Sequence, residues 1–304
     1  MKIATTTGDF GFFCRNDEER IYELHRAGFR YIDLSMYSLS PDSVYMNEGW
    51  EEEAQKIKKV ANELGMTFVQ AHSPGGNPLS SDEAHVDFLL KSTIRSIEIC
   101  ANLGIKNTVV HNGRKEGITK EEWFKLNKEF YNKLLPTAEK YGVNVLCENS
   151  TSVNIEGYYY ANSGKDMREF IEYVNHPNFH VCWDTGHANC EGSQYEEIMA
   201  LGEHLYAIHY NDNHGKADEH ILPYFGTLNH DEVINALLDV GYKGYFTLEC
   251  DSSLRQPKCW LGDRRAFERD KRALVPPYFM QQDIEKLLYK TAKYLLEQYG
   301  LFEE

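Results

Sequence analysis

The sequence lacks the marks of a disulfide-bonded or membrane protein. Its seven cysteines are an odd number, and no two of them form a C-x-x-C pair. Free thiols in a reducing compartment are the economical interpretation of that pattern. No run approaches the ~18 apolar residues that a membrane span requires, and residues 1–4 lead directly into three threonines. We therefore expect a soluble, cytoplasmic protein without a signal peptide or a membrane partner.

Positive charge is also scarce. Lys and Arg number 32 against 47 Asp and Glu, which gives a formal net charge of −15. Contacts to a nucleic-acid backbone need clustered Lys and Arg, so the composition disfavours a polyanion partner. The one basic stretch, residues 255–272, is interleaved with Asp263, Glu268 and Asp270. That mixture is typical of a solvated or subunit-contact segment.

A nucleotide-binding open sheet is disfavoured because no G-x-G-x-x-G follows the first predicted strand. Short apolar runs instead alternate with segments of helical periodicity, and no linker interrupts them. The predicted strands are residues 2–6, 30–35, 66–71, 107–110, 143–147, 179–183, 204–208 and 244–248. Eight such strands, each followed by a helix, predict one domain, residues 1–304, folded as a single (β/α)8 TIM barrel. A doubly wound open sheet is the runner-up.

N-caps and glycines delimit the predicted helices. Residues 16–19 are a candidate capping box, residues 80–83 cap the third predicted helix, and Thr119 with Glu122 caps the fourth. The predicted helices are residues 16–27, 49–64, 83–103, 119–141, 164–174, 194–201, 231–240 and 280–299. Residues 251–279 form a predicted insertion that folds over the barrel mouth or against another subunit, which leaves a homo-oligomer open.

Six predicted strands are followed by a residue that can bind a metal or move a proton. In a parallel barrel all the carboxyl ends of the strands lie on one face, where active sites are built. These residues are therefore expected to converge: His72, His111, Glu148, Asp184, His209 and Glu249. Each has a structural alternative, because such histidines can satisfy a turn and Asp184 can cap a helix. After Asp184, Gly186 favours a tight turn over a helix.

Two further acid–histidine pairs lie near the predicted rim. Asp184 and His187 form D-x-x-H, and Asp218 and His220 form D-x-H in the loop after the seventh strand. We expect these side chains to contact substrate or a second metal, with a structural salt bridge as the alternative for Asp218 and His220. Three cysteines beside the predicted ligands are expected to be core residues that point away from the site: Cys147, Cys182 and Cys250.

These motifs, in this order along nearly the whole chain, resemble those of the xylose isomerase-like TIM barrels. That superfamily holds sugar and sugar-phosphate isomerases and epimerases together with endonuclease IV. The motifs are HNG at 111–113, EN at 148–149, DTGH at 184–187, HYND at 209–212, Asp218-x-His220 and Glu249.

The isomerase and epimerase branch implies one divalent metal ion (Mn²⁺, Mg²⁺, Co²⁺ or Zn²⁺) held by three carboxylates and an imidazole. By position these ligands are Glu148, Asp184, His209 and Glu249. The resemblance also assigns proton transfer on a small carbohydrate, through an enediolate, to Glu148 and Glu249. It implies that the substrate is contacted by His72, His111, His187, Asp218 and His220.

Rival functions stay open within the same fold. The trinuclear zinc ligands of an endonuclease IV-like phosphodiesterase find counterparts in the six rim residues together with His187, Asp218 and His220. Little Lys or Arg clusters in the loops that follow the strands, and residues 221–226 (ILPYFG) replace the glycine-rich stretch of that nuclease. A metal-dependent lyase or C-glycoside-cleaving enzyme and a non-enzymatic binding barrel are further alternatives. The sequence favours a sugar isomerase or epimerase, with no nucleic-acid partner.

Overall fold

The computed structural model describes residues 1–155, 157–254, 269 and 276–304. Its strands are β1 (Ile3–Thr6), β2 (Tyr31–Ser35), β3 (Thr67–His72), β4 (Asn107–Val110), β5 (Asn144–Glu148), β6 (Phe179–Asp184), β7 (Leu205–His209) and β8 (Phe246–Leu248). All eight predicted strands are present, with ends displaced by at most two residues. Several of them extend one residue further than predicted and so include a rim residue.

The sheet is a ring of parallel strands. Each strand from β1 to β6 pairs with the next in sequence, and β8 pairs with β1. The last contact, between β7 and β8, is a parallel bridge of Tyr210 and Leu248. The Tyr210 N–H donates to the Thr247 carbonyl at 2.7 Å, and the Glu249 N–H donates to the Tyr210 carbonyl at 3.2 Å. A single (β/α)8 TIM barrel is thus confirmed, and the doubly wound alternative is wrong.

Helices connect the strands on the outside of the barrel. They are α1 (Asp17–Ala27), α2 (Trp50–Glu63), α3 (Glu83–Leu103), α4 (Lys120–Tyr141), α5 (Gly164–Val174), α6 (Thr185–Glu191), α7 (Tyr195–Leu201), α8 (His230–Asp239) and α9 (Tyr278–Gln298). Asn16 and Thr119 each accept a hydrogen bond from the backbone N–H three residues later, as predicted. Within the predicted cap of residues 80–83, Asp82 is the residue that accepts, from the His85 N–H. Glu122 closes the capping box with Thr119.

Side chains of the strands alternate between two cores. In β2, Ile32 and Leu34 belong to the large core between the sheet and the helices. A second, small core lies inside the barrel and consists of Val109, Leu146, Cys182 and Ala207. Each of these four residues lies two positions before a rim residue, so the period-2 alternation of a strand directs the rim side chains into the barrel as well.

The prediction for the three cysteines is correct for two of them. Cys147 and Cys250 belong to the outer core. Cys182 instead lies inside the barrel, because it is two residues, and not one, before Asp184. It therefore shares the face of β6 that Asp184 occupies, immediately below the site.

The tight turn predicted after Asp184 is also wrong. Residues Thr185–Glu191 form α6, and Asp184 is its N-cap, whose side chain accepts a hydrogen bond from the His187 N–H. Only a glycine fits at position 186 of this helix, because the Cβ of any other residue would lie 1.8 Å from Asn211 Oδ1. The glycine therefore serves the packing of α6 against the loop after β7.

The predicted insertion, residues 251–279, lies mostly outside the described residues. Residues 251–254 form a turn, and α9 begins at Tyr278, two residues before the predicted start. In the part of the chain that is described, no helix combines the length and the apolar composition that would let it cross a membrane.

Candidate functional site

The six rim residues converge at the carboxyl ends of β3 to β8. His72, Glu148, Asp184 and His209 are the last residues of their strands, whereas His111 and Glu249 directly follow β4 and β8. Four of them bring ligand atoms within 4.8 Å of one another: Glu148, Asp184, His209 and Glu249. The convergence expected from strand order therefore holds.

His209 lies at the centre of this group and has no solvent exposure. Its Nδ1 forms a close hydrogen bond with Glu148 Oε1 and lies 3.3 Å from Glu249 Oε2. Its Nε2 faces the opposite way, toward Asp33 in β2 and Gln70 in β3. Nδ1 thus faces the carboxylates of Glu148 and Glu249, and Nε2 faces the barrel interior.

Two more histidines adjoin the second oxygen of Glu148. The His111 Nε2–H donates to Glu148 Oε2 at 2.8 Å, and His72 Nε2 lies 3.9 Å from the same oxygen. His72 donates from Nδ1 to the Ser73 carbonyl at 2.8 Å, which leaves its Nε2 lone pair facing His111 at 3.1 Å. Burial, together with the neighbouring His111, lowers the pKa of His72 to about 3, so the ring is neutral.

Asp184 is held rigidly by both of its oxygens. Oδ1 accepts from the His187 N–H at 2.6 Å, and Oδ2 accepts from Asn211 Nδ2 at 2.7 Å. The Asn149 side chain bonds to both the N–H and the carbonyl of Asp184. These hydrogen bonds fix the position of the carboxylate, and the His187 ring lies 3.7 Å from its Oδ1.

The four-residue group fits a divalent metal ion. Three carboxylates and one imidazole form a donor set suited to Mn²⁺, Co²⁺, Zn²⁺ or Mg²⁺. Among the described residues, no Lys or Arg forms an ion pair with any of the four. Two buried carboxylates and a half-buried one, paired with histidines alone, are costly to bring together unless a metal cation balances their charge.

A second acid–histidine group lies beside the first. Asp184, His187 and His220 also bring ligand atoms within 4.8 Å of one another, and Asp218 stands between the two histidines. Its oxygens lie 3.1 Å from His187 Nε2 and 3.0 Å from His220 Nε2. His220 has a φ of +48°, a left-handed conformation that is uncommon for a non-glycine residue and is often found at functional sites.

The two glutamates have pKa values shifted in opposite directions. Burial would raise the pKa of Glu148, but the His209 and His111 imidazoles outweigh it and hold that pKa well below its usual range. Burial raises the pKa of Glu249 to about 8 despite His209 and His220. For His187, burial is outweighed by the carboxylates of Asp184 and Asp218, which raise its pKa to about 10. Such perturbed groups are typical of functional sites.

The site opens onto a cavity of about 1050 Å³. Seven of the nine predicted site residues line it: His72, His111, Glu148, His187, Asp218, His220 and Glu249. Asp184 and His209 lie beneath them, without solvent exposure. A substrate in the cavity can therefore reach both glutamates.

Sequence reasoning missed several residues of the site. Tyr37 lines the cavity and packs edge-on against His72 and His111, with ring centroids 5.3 and 5.7 Å apart. Arg114, three residues after His111, also lines it. Asp33 and Gln70 stand in mid-strand, where only the alternation of an inward face could have singled them out.

Known proteins share this architecture. A crystallised IOLI protein with a bound zinc atom superposes with a TM-score of 0.75 at 18% identity, covering 99% of this chain and all of that one. D-psicose 3-epimerase from Clostridium cellulolyticum H10, crystallised with D-tagatose, gives 0.73 at 18% identity over 97% of this chain and 99% of that one. At such identities the likeness shows the fold.

Sequence comparison gives the family. An uncharacterised protein of Methanocaldococcus jannaschii is 26% identical over 193 residues, 60% of this chain and 64% of that protein. The match thus spans less than two thirds of that relative. The family model described as xylose isomerase-like TIM barrel matches residues 21–270. This chain belongs to the xylose isomerase-like TIM barrel family.

Proposed function

We propose that this protein is a divalent-metal-dependent sugar or sugar-phosphate isomerase or epimerase. The observation that carries the proposal is the pair Glu148 and Glu249, whose carboxylates approach the same nitrogen of His209 at the floor of the cavity. A D-psicose 3-epimerase and an L-ribulose 3-epimerase are among the structures of the same fold. Their names support a carbohydrate substrate.

In this proposal the metal is held by Glu148, Asp184, His209 and Glu249. When bound, a divalent ion supplies a Lewis acid that stabilises the negative charge developing on a substrate oxygen. Zinc is supported by the IOLI neighbour, and the donor set suits manganese, cobalt and magnesium equally.

The two glutamates would perform the proton transfers. One removes a proton from the carbon next to the carbonyl, and the other returns a proton to the enediolate. Retention of both carboxylates is what separates this proposal from a binding barrel. Because both also belong to the metal group, each stands close to the carbon chain of a bound sugar.

The remaining predicted residues would bind and orient the sugar. His72, His111, His187 and His220 offer ring nitrogens along the cavity wall, and Asp218 accepts from His187. Neutral His72 suits an uncharged hydroxyl better than a phosphate, since it carries no positive charge. We expect these residues to affect KM for the sugar more than they affect folding.

Deuterium exchange tests the proposal. The protein is incubated in D₂O with Mn²⁺ and a panel of free and phosphorylated ketoses, and each sugar is examined by NMR and mass spectrometry. Incorporation at a single carbon is the expected result, and the position of that carbon distinguishes C3 epimerisation from 1,2-isomerisation. Loss of an eliminated fragment would favour a lyase. No exchange with any sugar would contradict the proposal.

A second candidate is an endonuclease IV-like zinc phosphodiesterase. The observation that favours it is the arrangement of three adjacent ligand groups, in which His72 with Glu148 and His209 forms one flank and Asp184 with His187 and His220 forms the other. Three bound zinc ions per chain and cleavage of a duplex with an abasic site would favour this candidate. One metal per chain with sugar exchange would favour the isomerase or epimerase.

A further inference from the structure

We infer that Asp33 is the positioning residue of His209: its carboxylate holds a proton on Nε2, so that Nδ1, the nitrogen beside Glu148, is the one that releases its proton and gives its lone pair to a metal. This inference rests on the proposed function, because it concerns the same metal site. It adds a residue from β2, a strand that contributes none of the predicted ligands.

The position of Asp33 follows from the alternation of β2. Ile32 and Leu34 point outward into the core beneath the helices. Asp33 between them therefore points into the barrel, where its side chain is 1% exposed. An aspartate in the middle of an apolar strand is costly to bury, and its presence calls for a partner inside the barrel.

His209 is that partner. Asp33 Oδ2 lies 3.3 Å from His209 Nε2, and the same oxygen accepts from Gln70 Nε2 at 3.2 Å. Oδ1 has no hydrogen-bond partner in the part of the chain that the structure describes. Among the described residues, His209 is the one ion-pair partner of Asp33. The pair is buried on both sides, so solvent does not compete for it.

The chemistry of the two groups determines the tautomer. A carboxylate accepts hydrogen bonds and donates none, so Asp33 favours the form of His209 that carries its proton on Nε2. Gln70 Nε2 also lies 2.9 Å from His209 Nε2. Rotated by half a turn, the Gln70 amide presents its oxygen to this nitrogen and no longer donates to Asp33; the Nε2–H of His209 is then shared between the Gln70 oxygen and Asp33 Oδ2, so Gln70 is compatible with both tautomers. The selection therefore comes from Asp33.

The consequence is a better metal ligand. A carboxylate behind a ligating histidine fixes the ring orientation and raises the basicity of the opposite nitrogen, and its loss typically lowers metal affinity by about 10–100-fold. Asp33 acts through the ring of His209 and does not itself reach the metal group, whose four members exclude it. A purely structural role would affect folding and leave metal affinity intact.

The experiment compares Asp33→Asn with Thr247→Val. Thr247 lies inside the barrel on β8, also buried, and its hydroxyl contacts Gln70 at 3.4 Å without touching His209. Zn²⁺ affinity is measured by competition with a chromophoric chelator, and apo stability by urea unfolding. We expect Asp33→Asn to lower Zn²⁺ affinity by about 10–100-fold and Thr247→Val to bind Zn²⁺ as wild type does.

A spectroscopic measurement on the wild-type protein keeps the test independent of the variant's folding. Histidine-labelled protein with bound Zn²⁺ is examined by ¹⁵N–¹H correlation of the ring, with His209 assigned by its loss in His209→Asn. A proton on Nε2 of His209 is expected, and a proton on Nδ1 would overturn the inference. Unchanged Zn²⁺ affinity in folded Asp33→Asn would also overturn it. If the wild type bound no Zn²⁺, the proposed function would fail instead.

Discussion

Glu148 and His209 are hydrogen-bonded through Oε1 and Nδ1, although β6 separates the strands that carry them. The contact is possible because both side chains point into a narrow barrel, above a layer of small and apolar residues. The second carboxylate oxygen of Glu148, Oε2, accepts a hydrogen bond from His111. Glu148 is therefore the residue that links the proposed metal group with the histidines of the cavity wall.

Removing either glutamate should abolish turnover without unfolding the protein. We expect Glu148→Gln and Glu249→Gln each to lower the rate of sugar deuterium exchange by about 10²–10⁴-fold, the usual contribution of a positioned acid or base. Glu98→Gln, on the surface of α3 beside Arg95, serves as the matched control. Exchange in either site variant at the rate of that control would contradict the assignment.

Metal binding should stabilise the folded protein. Free metal at 100 times its Kd is expected to add about 2.7 kcal/mol to the free energy of unfolding. Asp184→Asn should keep the stability of the metal-free protein, because asparagine also caps helices well. It should show a smaller metal-dependent rise, since one carboxylate ligand is lost. Thermal unfolding with and without Zn²⁺ measures both, and an equal rise in the variant would argue against Asp184 as a ligand.

The glycine in α6 should not tolerate a side chain. In Gly186→Ala the new Cβ would collide with Asn211, which itself holds Asp184. We expect a loss of about 1–3 kcal/mol in the free energy of unfolding, typical of overpacking, and weaker Zn²⁺ binding. Gly49→Ala, where a Cβ would meet no described residue within 4 Å, should change stability by less than about 0.5 kcal/mol. Equal urea midpoints for the two variants would refute the packing argument.

The contribution of Asp9 to stability should fall as the pH rises from about 4 to 7. Asp9 is buried, accepts from the Thr5 hydroxyl at 2.6 Å, and has its pKa raised to about 7 by burial. The folded chain keeps this proton up to pH 7, whereas an unfolded aspartate loses it near pH 3.9. The unfolded state therefore binds fewer protons across this range, and the contribution to stability is lost as the pH rises through the folded pKa.

Asp9→Asn should remove that part of the pH dependence. At pH 8 we expect it to be more stable than wild type by on the order of 2 kcal/mol, because a buried charge is no longer formed. Asp42→Asn, at an exposed position, is the control and should follow the wild-type curve. Urea unfolding at pH 5 and pH 8 gives the comparison; a stability difference between Asp9→Asn and wild type that is the same at both pH values would contradict the account.

The order of the strands and the identity of the rim residues were predictable because both follow from patterns between residues that are close in sequence. Alternating strands and helices define a parallel barrel, and a parallel barrel gathers its strand ends, so His72 and Glu249 could be placed together although 176 positions separate them. The caps at Asn16 and Thr119 were equally local.

What could not be predicted depended on contacts across the barrel. Asp33 becomes meaningful only when His209, on the far side of the ring, is known to face it. The helix α6 was missed because glycine is a poor helix former. A glycine is required at position 186 because Asn211 approaches the helix closely there, a contact that the sequence does not reveal. Cys182 was misplaced by an error of one position in the strand alternation, which reverses the face.

Anomalous diffraction at the zinc edge, from crystals soaked in Zn²⁺, locates the metal site itself. We expect the strongest peak between Glu148, Asp184, His209 and Glu249, with carboxylate oxygens and the Nδ1 atom at about 2.0–2.2 Å from the ion. Absence of a peak among these four residues, or a peak that Glu148 and Glu249 do not share, would contradict this expectation.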